Sequence, residues 1–290
     1  MRCAVLHMIE EKNPANRYPS IYGLQMVKKS PDEPGRLTGT QSIERALLLM
    51  REIAAHNRGG SRLLDLATRT GLQRPTVHRM LKCLAHEGMV QQDSDTHRYY
   101  LGSMVFELGL TAAPRFNLRE ICHPAMGRIA EATGDTVFLT QRSGLDAVCL
   151  DRQEGAFPIK TFTLEIGMRR PLGVGIGSLA ILAALPDGET QVVMENNQTR
   201  LDEYGVPATT LMTQVRKAQK LGYSMREAPT LAGVRSVGHV IRNQSGVPFA
   251  ALSVSTISSR MTEKRMMEIA SLLRNEVRLV EKQISNSNGG

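Results

Sequence analysis

The 290-residue sequence predicts an α+β protein in two parts: a helical N-terminal unit closed by a short hairpin, and a longer C-terminal unit of helices and antiparallel sheet. Three observations carry this expectation. From Leu63 to Gly102 the stretch "LLDLATRTGLQRPTVHRMLKCLAHEGMVQQDSDTHRYYLG" reads as helix, tight turn, helix and hairpin. The chain is longer than one compact core needs. Beyond Pro114, strand-like and helix-like runs follow one another without regular βαβ alternation, which favours α+β over a doubly wound sheet.

The first of these stretches has the form of a winged helix-turn-helix, and so implies a reader of DNA. Val77, Met80, Leu81 and Leu84 recur at three- and four-residue spacing and form the inner face of its second helix, leaving Thr76, His78, Arg79, Lys82 and Cys83 outward. Residues 40–102 hold nine Lys/Arg against six acids, an excess of three in a chain of net charge +8 and a field suited to phosphate backbone.

A hydrophobic content of 41% is ample for two cores. Four cysteines, at positions 3, 83, 122 and 149, form neither a CxxC pair nor zinc-finger spacing, so unpaired thiols in a reducing cytoplasm are expected. No apolar run approaches the 18 residues or so of a membrane span, and no signal peptide is evident, so a soluble cytoplasmic protein is expected.

In chain order, residues 1–39 mix prolines and scattered charges without a sustained period, as a disordered tail does. Met26 opens a more ordinary polar leader and is an alternative translation start. The winged domain is expected over 40–102. Ile43, Ala46, Leu47, Met50, Ile53 and Ala54 trace one helical stripe of a support helix; Leu63–Thr70 forms the next helix, closed by Gly71; and a third begins at Pro75, a residue tolerated at the first helical position. Val90, Tyr99 and Leu101 flank the Asp93–Thr96 turn of the wing. A linker helix is expected over 103–113, with Met104, Val105 and Leu108 on one side.

The second unit, 114–286, opens with a helix over Leu118–Thr133 and two strands, "TVFLT" and "AVCLDR". An extended stretch near "IKTFTLEI" leads to the glycine-rich turn "PLGVGIGS" and the apolar helix "LAILAAL". A helix over Leu211–Leu221, a hairpin of "SVGHVI" and "VPFAALSVS", and a last helix capped by Thr262 follow.

A recognition helix lays its N-terminal residues over base edges while neighbouring cations hold phosphates, which makes Gln73, Arg74, Thr76 and Arg79 the leading contacts, with His78 and Lys82 behind them. Arg98, near the wing tip, is expected at phosphate or minor groove. In the second unit, N–H groups at the start of the helix containing Ser178 offer a site for a carboxylate. Ser253 and Ser255, two apart on a strand, share a face opposite Leu252 and Val254.

Two other readings set alternatives. Gly173-x-Gly175-x-Gly177, with Glu195 some twenty residues on, invites a dinucleotide site, but the spacing is not G-x-G-x-x-G and the turn lies deep in the chain. An enzyme or nucleotide-binding protein with an accessory winged helix is thus one alternative; a winged helix used only for protein contacts is another. No cofactor, metal site or catalytic constellation is expected, since His123, His239 and the serines lack a nucleophile-elbow context and no two histidines have metal-ligand spacing on one helix.

Six segments, "GLQRPTVHRMLKCL", "RYYLG", "LREICHPAMGRIAEATGDTVFL", "PLGVGIGSLAILAAL", "GVRSVG" and "AALSVS", occur in the order found in the IclR family of bacterial transcription regulators, which the chain resembles over about residues 40–286. The resemblance implies an N-terminal winged helix, a linker helix used in dimerisation, and a C-terminal GAF-like domain that binds a small carboxylate or aromatic acid. It implies a homodimer or homotetramer on double-stranded DNA, with a palindromic operator. It also implies an effector cavity lined by Gly175, Ile176, Gly177, Ser178, Ser253 and Ser255. Three positions depart from the family pattern: Pro75 replaces a hydroxyl residue, Ser236 stands where cysteine is common, and Arg226 replaces an acid.

Overall fold

The computed structural model describes residues 40–112, 117–161, 163–227 and 232–287. The expected tail 1–39 and the expected boundary at Pro114 lie outside them. The chain divides into two compact units, residues 1–110 and 111–290.

The first unit is built from α1 (Gln41–Ala55), α2 (Leu63–Thr70), α3 (Arg74–His86) and a hairpin of β1 (Val90–Gln92) and β2 (Tyr99–Leu101). Its core is Leu49, Ile53, Leu66, Ala67, Val77, Leu81, Val90 and Tyr99, so each helix contributes one apolar stripe and the hairpin closes the end. Gly71 takes φ 67°, the left-handed turn that lets α3 leave α2 sharply. The third helix starts one residue earlier than expected, at Arg74, with Pro75 still in its first turn.

The expected α1 stripe merges two faces. Only Leu49, Glu52 and Ile53 are buried, whereas Ile43 is 61% and Leu47 47% exposed and Ala54 also faces out. Ile43, Leu47, Met50 and Ala54 therefore form a second apolar stripe that the unit itself does not cover. The linker helix α4 (Ser103–Ala112) differs in the same direction, since none of its residues is buried and Phe106, Leu108 and Leu110 are each more than half exposed.

The second unit contains α5 (Leu118–Thr133), β3 (Thr136–Ser143), β4 (Asp146–Glu154), β5 (Arg169–Pro171), α6 (Ile176–Ala184), α7 (Asp187–Glu203), α8 (Ala208–Leu221), β6 (Ser224–Glu227), β7 (Val234–Arg242), β8 (Pro248–Ile257) and α9 (Glu263–Ser287). Its sheet is antiparallel throughout, in the order β5-β4-β3-β8-β7-β6. On one face α5 and α9 pack Met126, Ile129, Met266, Leu273 and Val277 against Val137, Leu139, Val237, Leu252 and Val254. On the other lies α6, apolar all round and buried from Ile176 to Ala183, with α8 behind it. The period of two along β8 thus sends Leu252 and Val254 into the core and Ser253 and Ser255 to the α6 face.

Two elements depart from expectation. The described residues within 159–166 form no strand; the sheet edge is the later β5, and Thr161 Oγ1 instead donates to the Ser255 carbonyl (2.9 Å), tying this segment across the sheet. The 17-residue α7 has no counterpart in the expected elements. Among the described residues no helix is long and apolar enough to cross a membrane.

Candidate DNA interface and effector cavity

In the first unit Gln73, Arg74, His78, Arg79 and Lys82 are exposed on α3, and Thr76 is half-buried with its N–H engaged by the Gln73 carbonyl (2.9 Å). Arg74 and His78 share a concave surface with Arg62 and Leu64 at the start of α2 and with Gln92, Thr96 and His97 of the wing. Arg62, a cation beside the α2 N-terminus, was missed from sequence; its position next to the Arg74 turn is the signal that could have found it. The wing turn is held by Asp93, whose Oδ1 accepts both the Thr96 N–H (2.7 Å) and the Thr96 hydroxyl (2.6 Å), and these bonds keep the carboxyl below its ordinary pKa.

Arg98 is placed differently from the other candidates. Its Nη1 donates to the carbonyls of Gly59 (3.0 Å) and Gly60 (2.9 Å), joining the wing to the loop after α1. Ser61 and Tyr99 exchange backbone hydrogen bonds beside it (3.0 and 2.8 Å), and Asn57 Oδ1 accepts the Leu101 N–H (2.7 Å). The wing is therefore stitched to the support helix at several points, and Arg98 is one of the stitches.

In the second unit the face of the sheet under α6 holds a small cavity of about 30 Å³. Gly175, Ile176 and Gly177 line it from the turn, Ser236, Ser253 and Ser255 from the sheet, and Arg226 from β6. Sequence reasoning missed Phe138, Val174 and Arg170 of this lining, and Thr163 and Leu164 of the crossing segment. Alternation along β3 could have placed Phe138 on the serine face, because it pairs directly with Ser253.

Ser178 is the exception among the expected lining residues. Its Oγ accepts the N–H groups of Gly173 (3.1 Å) and Gly175 (2.9 Å) and donates to the Gly175 carbonyl (2.8 Å), so the hydroxyl braces the turn from inside. The N–H of Gly175 is thereby occupied, which leaves Ile176 and Gly177 to present the open helix start. Gly177 sits close over the sheet: a Cβ there would lie 3.0 Å from Thr140 Oγ1, so a larger residue needs that side chain to give way.

Ser236 and Ser255 hydroxyls bond each other at 2.8 Å, while Ser253 faces the cavity alongside them. Arg226 does not face bulk solvent. It donates through Nη1 to Gln214 Oε1 and through Nη2 to the carbonyls of Gly173 (2.8 Å) and Val174. Burial pushes its pKa down to about 10, which leaves it charged at neutral pH. Arg170, buried on β5, lies over the Tyr204 ring, 5.8 Å from its centroid. No Asp or Glu lines the cavity among the described residues.

The glycine turn has no dinucleotide geometry: Ser178 and Arg226 fill its two sides, and Glu195 is on α7, bonded to Gln191 (2.9 Å) and away from the cavity. Among the described residues no group of three or more His, Cys, Asp or Glu is placed to hold a metal ion.

A helix-turn-helix with a wing, followed by a sheet domain enclosing a small cavity, defines a DNA-binding transcription regulator. Residues 42–94 match the IclR helix-turn-helix domain, and residues 110–282 match the bacterial transcriptional regulator IclR C-terminal domain. The chain belongs to the IclR family. The acetate operon repressor of Salmonella typhimurium is 29% identical over 263 residues, 86% of this chain and 94% of that protein. An IclR family regulator structure from Brucella abortus superposes with a TM-score of 0.72 at 21% identity, covering 88% of this chain and 96% of that one. An IclR homologue from Microbacterium hydrocarbonoxydans, solved with 4-hydroxybenzoate, gives a TM-score of 0.65 at 19% identity over 84% and 98% of the two chains.

Proposed function

We propose that this regulator works in the cytoplasm as a homo-oligomer on a palindromic operator, reading the major groove with α3 and responding to a small carboxylate in the cavity under α6, without turnover. Gln73, Arg74, Thr76 and Arg79 approach bases and nearby phosphates in this reading, and His78, Lys82 and Arg62 the backbone. Arg98 positions the wing and is not itself a DNA contact. The single observation that carries the effector half is the charge of the cavity lining: Arg170 and Arg226 stand with three serines among largely apolar walls, and among the described residues no carboxylate lines it. An anion is the ligand such a lining accepts at least desolvation cost. That a solved relative holds 4-hydroxybenzoate supports the same class.

Oligomerisation is supported by exposed apolar side chains, Ile43, Leu47 and Ala54 with half-buried Met50 on one face of α1, and Phe106 and Leu110 on one face of α4 with Leu108 on the other. Binding of the effector then shifts the equilibrium between arrangements of the DNA-reading pair.

The test is a mobility-shift titration on the DNA upstream of the protein's own gene. Arg79→Ala is expected to weaken operator binding at least tenfold and to lower the slope of log affinity against log salt by about 1. An unchanged affinity and slope would remove Arg79 from the interface. In parallel, a thermal-shift screen of aliphatic and aromatic carboxylates should yield a ligand that raises the melting temperature by mass action; if none does, the effector reading falls.

A further inference from the structure

Resting on the reading of the cavity as an effector site, we propose that Arg226 is its trigger: in the empty protein the side chain latches the glycine turn shut, and a ligand carboxylate releases the turn by taking over the guanidinium. The hydrogen bonds locate the latch. Arg226 reaches from the edge strand β6 to the Gly173 and Val174 carbonyls, 53 and 52 residues away in sequence, and fixes the turn that opens α6. Its other terminal nitrogen is held by Gln214 of α8. One side chain thus joins the sheet edge, the turn and the helix behind α6.

Two features make this arrangement releasable. All three acceptors are neutral, and the neighbouring Glu227 is turned away to accept the Gly233 N–H (3.0 Å), so the guanidinium charge has no carboxylate in the cavity lining among the described residues. Arg226 Nε is also buried and without a hydrogen-bond partner. Nε and Nη2 form one edge of the guanidinium, the edge that pairs with both oxygens of a carboxylate. A ligand docking there satisfies the orphan Nε and supplies the missing charge, but it must displace the carbonyl that holds the Nη2 hydrogen on that edge. Binding and release of the Gly173–Val174 turn are therefore one geometric event, and the ligand's differential affinity for the opened turn provides the coupling.

The experiment compares the full-length protein with Arg226→Gln and Arg226→Lys by hydrogen-exchange mass spectrometry without ligand, and by titration with acid and amide pairs of equal shape, 4-hydroxybenzoate against 4-hydroxybenzamide and hexanoate against hexanamide. Amides between Leu172 and Ser178 are expected to exchange at least tenfold faster in both variants, with α9 unchanged. The parent should bind the acids at least tenfold more tightly than the amides. Arg226→Gln should reduce that preference to within twofold, whereas Arg226→Lys should keep it. Unchanged exchange at the turn, or an increase shared by α9, overturns the latch whether or not any acid binds. A preserved acid preference in Arg226→Gln overturns the trigger role. If no acid binds the parent, the effector reading fails by itself, and the exchange comparison still decides the latch.

Discussion

Arg98 shows how one side chain changes role once its neighbours are known. A cation near a wing tip invites a phosphate, yet Nη1 donates to two backbone carbonyls of the Gly59–Gly60 loop. We expect Arg98→Ala to lower the stability of the first unit by about 1 kcal/mol, toward the low end for a charged donor because solvent reaches the pair. Chemical denaturation followed by wing-specific hydrogen exchange should show the loss concentrated in β1 and β2. The buried thiols illustrate the same dependence on surroundings. Burial pushes Cys122 and Cys149 up to about 12, so neither carries appreciable thiolate at pH 8. Iodoacetamide should label the exposed Cys83 in the native protein and spare those two until denaturant is added, with peptide mapping as the readout.

At the scale of elements, what could be read from the sequence depended on whether a single side of each element is apolar. The third helix was legible because Val77, Met80, Leu81 and Leu84 lie on one side and charged residues on the other. By contrast α7 was not, because Thr190 and Asn197, whose side chains bond the Leu182 and Leu145 carbonyls, interrupt the buried face that Val193, Met194 and Leu201 share with them. The segment 159–166 carries strand-like residues, but its described residues pair with no strand; tertiary context sets Thr161, Thr163 and Leu164 over the sheet face. The serines of β8 were legible from alternation alone, whereas the bonding of Ser178 was not, since its inward hydroxyl depends on the path of a turn five residues earlier. The wing supplies an element-scale prediction. Asp93 has a depressed pKa in the folded protein, so its contribution is present above the unfolded carboxyl pKa and is lost as pH falls through the lower folded value. Protection of the Thr96 amide should thus persist at neutral pH and vanish only on strong acidification, and Asp93→Asn should remove most of that dependence.

For the whole molecule, the residues that face outward decide the assembly. Leu47 and Phe106 are 47% and 68% exposed on different helices of the first unit's chain segment, and large apolar side chains grouped on helix faces mark contact surfaces. Leu47→Glu and Phe106→Glu should each move the sedimentation profile toward monomer at micromolar concentration while leaving the circular dichroism of the second unit intact. Affinity for a full palindrome should then fall by about 10²-fold or more, as avidity is lost, while binding to an isolated half-site changes little. An unchanged sedimentation coefficient in both variants would place the oligomer contact elsewhere.

The lack of any buried side chain on α4 has a thermodynamic consequence. A ten-residue helix with no buried side chain is below the length at which helices persist alone in water. In the proposed assembly its order is borrowed from the surface that covers it, and dilution below the dissociation constant should melt it. The segment joining reader to sensor would then be a rigid strut only in the assembled protein, making signal transmission itself a function of concentration.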